Sequence, residues 1–492
     1  MMARAGRVLC CLLLTLGASD LAWAKRYGAV EFEECRLPTP AGTQSPSAFC
    51  TRLEVPENWN KPNEKPIELA VAWLPARAKK PLAAPVVLIA GGPGQAARES
   101  FSSLLPAYRP IREEHHLLLV DQRGTGASAP IRCPATTAKG PGKQSPELIR
   151  KWAEDCIAQH SESHDLSQYH TESAIKDLDA VRQALGIKTW NMLGVSYGTR
   201  VVQRYARRFP DTLHHLVLDG VIPADVPLGA EDEINLERAI QAQLERCSDD
   251  ESCTTRFGSP YGNLNDFAET LSGEDLRVQV RHPRTGARLE RPLNRAVLGS
   301  WIRVMAYAPE LIPLIPWTLE QAQQGDAAPL VAQAWMIEEM LEKQISMGMQ
   351  LSVICNEQIP PPVNREITEP KTRALFQRDA ALDLRALCEL WPKSSQQPKK
   401  PPPGKIQAAT LLLSGQYDPV TPPTYGERAA ADFSRARHLV LQGQTHGVSA
   451  IGCTPQVIAD FLAEGRPDNV DDTCLERLEA PPFFLHAQGT AP

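Results

Sequence analysis

Short, nearly uninterrupted apolar runs recur along this chain, and each is closed by a turn rich in glycine or polar residues. Pro85-Val86-Val87-Leu88-Ile89 runs into Ala90-Gly91-Gly92-Pro93-Gly94, and His116-Leu117-Leu118-Leu119-Val120 into Asp121-Gln122-Arg123-Gly124-Thr125-Gly126. Trp190 to Leu193 runs into Gly194-Val195-Ser196-Tyr197-Gly198, and Leu216-Val217-Leu218 into Asp219-Gly220. Nearer the C-terminus, Thr410 to Leu413 is closed by Ser414-Gly415-Gln416-Tyr417-Asp418 and His438 to Leu441 by Gln442-Gly443-Gln444-Thr445-His446-Gly447. Apolar runs without polar alternation mark strands covered on both faces, as in a parallel sheet. Helix-like spacing, as in Thr171 to Leu185 and Thr199 to Phe209, fills the intervals from Ile67 to Pro223, and the alternation resumes from Ala408 to Glu464. That pattern predicts an α/β fold with one mostly parallel sheet, interrupted once.

The interruption, residues 224–405, is far longer than a crossover helix and carries helical patterns such as Pro329 to Met347. It leaves through Gln397-Pro398-Lys399-Lys400-Pro401-Pro402-Pro403-Gly404, a composition that reads as a stiff linker. It starts after the strand that follows the Ser196 strand in sequence and feeds the strand bearing Asp418, so we read it as a mainly helical cap over the site. The expected divisions are 1–24 as a leader, 25–223 as the first part of the core, 224–405 as the cap and 406–492 as the rest of the core.

Gly-x-Ser-x-Gly between a strand and a helix is the layout of a nucleophile elbow, a tight turn that lifts a serine hydroxyl clear of the sheet edge. Taken alone the motif is also a plain glycine turn, so its surroundings decide. An oxyanion hole needs an N–H from the residue after the nucleophile, here Tyr197, and a second from a loop after an earlier strand. The Ala90 to Gly94 run supplies the second; Pro93 has no N–H, and we choose Gly92 over Gly91. In the α/β-hydrolase layout the acid and then the histidine follow the serine in sequence. Asp418 and His446 each lie on a loop just past an apolar strand, so Ser196, Asp418 and His446 form the expected triad. Asp219 is the runner-up acid, and His438, which opens its strand, points to the wrong end. Asp121 and Arg123 are read as loop bracing rather than chemistry.

Through Gly91-Gly92-Pro93-Gly94, Asp121-Gln122-Arg123-Gly124, Gly194-Val195-Ser196-Tyr197-Gly198, Ser414 to Thr421 and Gly443-Gln444-Thr445-His446-Gly447, the chain resembles the prolyl and tripeptidyl aminopeptidase group of α/β-hydrolases. The resemblance spans about Cys50 to Cys474, and the C-terminal pair of motifs looks most like the tripeptidyl branch. Ala90 stands where the prolyl enzymes commonly carry a histidine, which turns the expectation away from proline specificity rather than away from hydrolysis. The resemblance implies peptide substrates and an acyl-enzyme on Ser196. Esterases of the same fold carry the same triad, so ester hydrolysis is the alternative.

An aminopeptidase must hold a free α-ammonium group, which in a partly desolvated pocket calls for a carboxylate. Glu357, beside Cys355, is the proposed anchor; Glu338 and Glu339 are weaker candidates, and Trp335 is read as core. A solvated surface charge is the plainer expectation for all three acids.

Arg4 and Arg7, an apolar stretch from Val8 to Leu16 and Ala22-Trp23-Ala24 have the order of a cleavable secretory signal. The stretch is far below the ~20 residues that span a bilayer. A periplasmic or secreted protein is expected, with no membrane span. Ten cysteines follow the leader, an even number that suggests disulfides in an exported chain, with nearest neighbours in sequence as the simplest pairing. No C-x-x-C pair is present, which argues against a zinc site, and no metal or organic cofactor is implied. A net charge of -6 over 492 residues gives no basic footprint for nucleic acid.

Overall fold

A computed structural model describes residues 25–39, 44–134, 146–271, 276–357, 380–395 and 404–490. The leader and the proline-rich segment 397–403 lie outside the described residues. Among the described residues, ten strands form one sheet in the order β1-β2-β3-β4-β6-β5-β7-β8-β11-β12. They are β1 (Lys25–Tyr27), β2 (Val30–Arg36), β3 (Ser47–Pro56), β4 (Pro66–Leu74), β5 (Val86–Ile89), β6 (Leu117–Val120), β7 (Trp190–Val195), β8 (Leu213–Asp219), β11 (Ala409–Gly415) and β12 (Ala436–Leu441). Everything from β6 to β12 pairs in parallel, as the apolar runs predict. The antiparallel meander β1 to β4 extends the sheet on the other side. Its first three strands are not announced by apolar runs, because their residues alternate between a covered and a wet face.

The side chains of the parallel strands divide between two cores, one on each face of the sheet. Val87, Ile89, Met192, Leu216 and Leu218 pack under the helices Thr171–Ala184 and Tyr197–Arg208. Val86, Leu88, Leu193, Val217, Leu411 and Leu413 meet the helix Thr454–Glu464 on the opposite face. Both faces are therefore dry, which is why these strands read as unbroken apolar sequence.

The insert between β8 and β11 behaves as two parts. Its first part, from the helix Asp232–Glu245 to the helix Ala328–Gln344, has its own core around Leu244, Trp301, Ile302 and Leu330 and includes the hairpin β9 (Leu276–Arg281) and β10 (Arg288–Leu293). Its second part, with the helices Met347–Asn356 and Ala380–Leu390, contributes Met349, Leu351, Val353, Cys388 and Trp391 to the main core instead. Phe483 near the C-terminus also packs into the insert's own core. No helix among the described residues is long and apolar enough to cross a membrane.

Five disulfides join Cys35–Cys50, Cys133–Cys156, Cys247–Cys253, Cys355–Cys388 and Cys453–Cys474, each a pair of neighbours in sequence. Closing loops of this size stabilises by ~3 kcal/mol each on a chain-entropy estimate.

Arg123 braces the loops, as its position in a tight turn suggests. Its guanidinium is fully buried and grips both oxygens of Asp177 at 2.7 and 2.6 Å, and it also donates to the carbonyls of Pro56, Glu57 and Gln168. Asp121 accepts the Arg98 and Ala127 N–H groups, and burial pushes its carboxyl up to about 6 despite those bonds. Removing one partner of a buried pair strands the other charge, so Asp177→Ala is expected to cost about 3–5 kcal/mol, read from the denaturant midpoint and slope.

Candidate functional site

Ser196 stands between β7 and the helix Tyr197–Arg208 with φ 56° and ψ -124°, a conformation that side-chain-bearing residues rarely adopt. Its neighbours hold it there. A methyl group on Gly194 would lie 2.6 Å from the Gly198 carbonyl oxygen, and one on Gly198 would run into the Ile89 carbonyl. The two motif glycines thus let the helix start directly against the ends of β7 and β5. The Ser196 N–H donates to the Asp219 carbonyl at 2.8 Å. Ser196 is partly exposed, whereas the Tyr197 side chain turns inward and is fully buried.

The Ala90 to Gly94 loop closes over the elbow. A methyl on Gly91 would be 2.9 Å from Ser196 Cβ, so Gly91 packs against the serine while the exposed Gly92, at φ 102°, faces outward. Among the described residues the Gly92 N–H has no acceptor.

Asp418 and His446 meet at the ends of β11 and β12. His446 Nδ1 donates to Asp418 Oδ2 at 2.8 Å, and Asp418 also accepts the Thr421 hydroxyl at 2.7 Å and the N–H groups of Val420 and Thr421 at 2.9 and 2.8 Å. The carboxylate is fully enclosed; the imidazole keeps about 10% exposure. Burial lowers the imidazole pKa, but the charge and hydrogen bond of Asp418, with Asp219 and Asp232 behind it, outweigh burial and raise it above the ordinary value. Gly220 brings the serine and histidine sides together: a side chain there would collide with His446 and Thr421.

Asp219, the other acid weighed from the sequence, sits elsewhere. It is wholly buried and accepts the backbone N–H groups of Val448 and Ser449 at 2.9 and 2.7 Å, so it anchors the loop that follows His446. His438 donates to or accepts from Ser414 Oγ at 2.9 Å within the sheet, away from that loop.

Glu357 is not a solvated charge. Its carboxylate bonds to the Thr171 hydroxyl, which is 2.7 Å from the Tyr197 phenol, and pairs with Arg200 at 3.5 Å. Its Oε2 is buried with no hydrogen bond among the described residues. Glu338 and Glu339 are spent within the insert, on Arg291 and on His282 with Arg284, and Trp335 fills the space between His282 and Arg291. Sequence reasoning missed Asp232. It lies in the first turn of the helix Asp232–Glu245, one turn before Asn235, whose side chain reaches the Val420 carbonyl of the Asp418 loop at 3.1 Å. Residues three apart share a helix face, so Asp232 also faces the loops of Asp418 and His446. Burial raises its pKa against the opposing charges of Arg303 and His446. The acidic run Glu231-Asp232-Glu233 at a helix start was the available signal.

A mostly parallel sheet with helices on both faces, a strained serine elbow and an Asp-His pair at the strand ends define a hydrolase of the α/β class. The family profile described as alpha/beta hydrolase fold matches residues 84–252, and the one described as TAP-like protein matches residues 373–474. The chain is 30% identical over 469 residues to the putative hydrolase Mb2247c of Mycobacterium bovis, covering 88% of each. It is 26% identical over 501 residues to serine protease Hip1 of Mycobacterium tuberculosis, covering 92% of each. To the tripeptidyl aminopeptidase of Streptomyces lividans it is 25% identical over 501 residues, covering 93% of this chain and 89% of that one. The chain belongs to the α/β-hydrolase family, in the group that holds the prolyl and tripeptidyl aminopeptidases.

Gly198→Ala forces its methyl into the Ile89 carbonyl. The expected result is a loss of roughly 1–3 kcal/mol in stability from overpacking, read by thermal melt, together with a displaced Ser196.

Proposed function

We propose that the protein is an exported serine aminopeptidase that releases short peptides, of tripeptidyl or prolyl type, from free N-termini. The observation that carries the reading is the 2.8 Å His446–Asp418 hydrogen bond, taken together with a serine held at positive φ. Ser196 attacks the scissile carbonyl while His446 Nε2 takes its proton; Asp418 keeps the Nδ1–H tautomer and stabilises the imidazolium. The N–H groups of Gly92 and Tyr197 receive the oxyanion. His446 then protonates the leaving amine, and a water activated by the same imidazole releases the acyl group.

The peptidase names among the relatives support peptide bonds as substrates. Acids on the insert support a reading with an ammonium-bearing substrate: Glu357, whose Oε2 has no hydrogen bond and faces Arg200 at 3.5 Å, is the proposed amine anchor, and Asp232 is a second acid on the side of the Asp418 loop. An acyl pocket for simple esters has no use for either. Export is supported by the order of charged, apolar and small residues in the leader and by the five disulfides, which persist in oxidising compartments.

Turnover of a chromogenic tripeptide amide with a free amino end, its N-blocked twin and a simple chromogenic ester separates the claims. The free tripeptide is expected to be preferred, and Ser196→Ala to lower kcat by about 10⁴-fold or more. Glu357→Gln is expected to reduce kcat/KM for the free tripeptide roughly 10- to 100-fold while sparing the ester, the loss of one charge-assisted hydrogen bond. Cleavage of the ester alone, or indifference to blocking, replaces this reading with an esterase.

His446 accepts a proton only when neutral, and its pKa is raised, so it stays protonated and inactive to a higher pH than an ordinary imidazole would. The acid limb of kcat/KM is therefore expected above pH 6.5, and Asp232→Asn is expected to move it down.

A further inference from the structure

Three hydrogen-bonded ties run from the insert to segments that carry proposed catalytic groups, and a fourth reaches Tyr197 through Thr171. The Thr445 hydroxyl, one residue before His446, donates to the main-chain carbonyl of Tyr307 at 2.6 Å. Asn235 donates to the carbonyl of Val420, two residues after Asp418, and that same Val420 donates its N–H to Asp418 Oδ1. The Ser346 N–H donates to the Gly94 carbonyl at 2.9 Å, two residues after Gly92, with Ile345 and Gln95 bridged beside it. Glu357 reaches Thr171, which bonds the phenol of Tyr197, the residue after Ser196.

The tie at Thr445 is the closest to moving atoms. Thr445 is buried, its backbone packs onto Gly415 at the end of β11, and its hydroxyl faces the insert. The Tyr307 ring stands edge-on to the imidazole, with centroids 5.2 Å apart and planes at 77°. Asp418 Oδ2 and the Thr421 hydroxyl both meet His446 Nδ1, at 2.8 and 3.2 Å, so the ring is held at that one nitrogen and its far end can swing. Tyr307 fills one side of that swing, and the Thr445 bond holds Tyr307 to the histidine loop.

We propose that the insert is a positioning element for catalysis as well as a cover, and that Thr445 is a positioning residue which sets the His446 imidazole through its bond to Tyr307. The proposal rests on the triad reading above. A displacement of about 1 Å at a reacting group costs on the order of 100-fold in rate, so a hydroxyl that fixes a loop acts on turnover and not on substrate affinity.

The test is Thr445→Val, which keeps shape and removes the donor, against Thr445→Ser, which restores it. Each is assayed with the tripeptide amide and the simple ester, with the pH profile of kcat/KM, the rate of Ser196 labelling by a fluorophosphonate, and a thermal melt. Thr445→Val is expected to lower kcat for both substrates by roughly 10- to 100-fold with KM within about twofold, as a misplaced base does. Its acid limb is expected to move down as the imidazole loses its alignment with Asp418, and Thr445→Ser is expected to recover most of the rate. A lower melting temperature with kcat and the acid limb unchanged overturns the proposal, as does a change in KM alone or a serine variant as slow as the valine one. Should Thr445→Val fail to fold, Asn235→Ala carries the same expectation through the Asp418 loop, and unchanged kcat there overturns the proposal. Failure of the triad reading itself shows separately, as turnover that survives Ser196→Ala.

Discussion

Asp219 is the residue on which the arrangement of the site turns. Its carbonyl receives the Ser196 N–H, and its carboxylate receives the N–H groups of Val448 and Ser449, so one buried residue at the end of β8 ties the elbow to the loop that carries His446. Its neighbour Gly220 leaves no side chain in the space where His446 and Thr421 approach. A carboxylate enclosed this completely is costly to bury, and burial raises its pKa; its ties to the histidine loop are what offset that cost. The elbow at φ 56° is in turn held by glycines that allow three backbone segments to touch. Strain at one residue is sustained because its surroundings leave no relaxed alternative.

The charges around the imidazole are arranged asymmetrically. Asp418, Asp219 and Asp232 all favour its protonated form, and burial opposes them. Such an environment favours an imidazolium at His446, the form that the proposed mechanism passes through. Arg303 is near Asp232 and tempers that acid's charge, so the insert participates in the electrostatics of the site as well as in its shape. The same insert is locked to the core by the Cys355–Cys388 disulfide region, whose helices share side chains with the main core. An insert that shares a core with the sheet is poorly suited to swinging away from it as a rigid unit.

Much of the fold was legible along the chain, and for one reason. Strands buried on both faces of a parallel sheet need unbroken apolar runs, and those runs pointed to β5, β6, β7, β8, β11 and β12 directly. The serine, aspartate and histidine were legible because each sits in the turn at the end of such a strand. Neighbouring cysteines paired as the simplest scheme expected, since each closes a short loop. The meander β1 to β3 was not legible, because a half-wetted strand carries a mixed sequence that also suits loops. Asp232 was hidden for a different reason: an acid in the first turn of a helix is ordinarily there for the helix dipole, and nothing local tells which way it faces.

The sequence by itself determined the class of fold, the order of the chemical groups and the existence of an insertion, because these depend on local pattern and on spacing along the chain. Only the tertiary structure decided which of two buried acids meets the imidazole, with Asp418 beside His446 and Asp219 behind its loop. It also decided that the second part of the insert belongs to the main core, and that Glu357 is tied to Thr171 and Arg200 rather than left in water. Those outcomes rest on contacts between separate segments of the chain, where distance is set by how whole layers pack and not by any feature of the segments that meet.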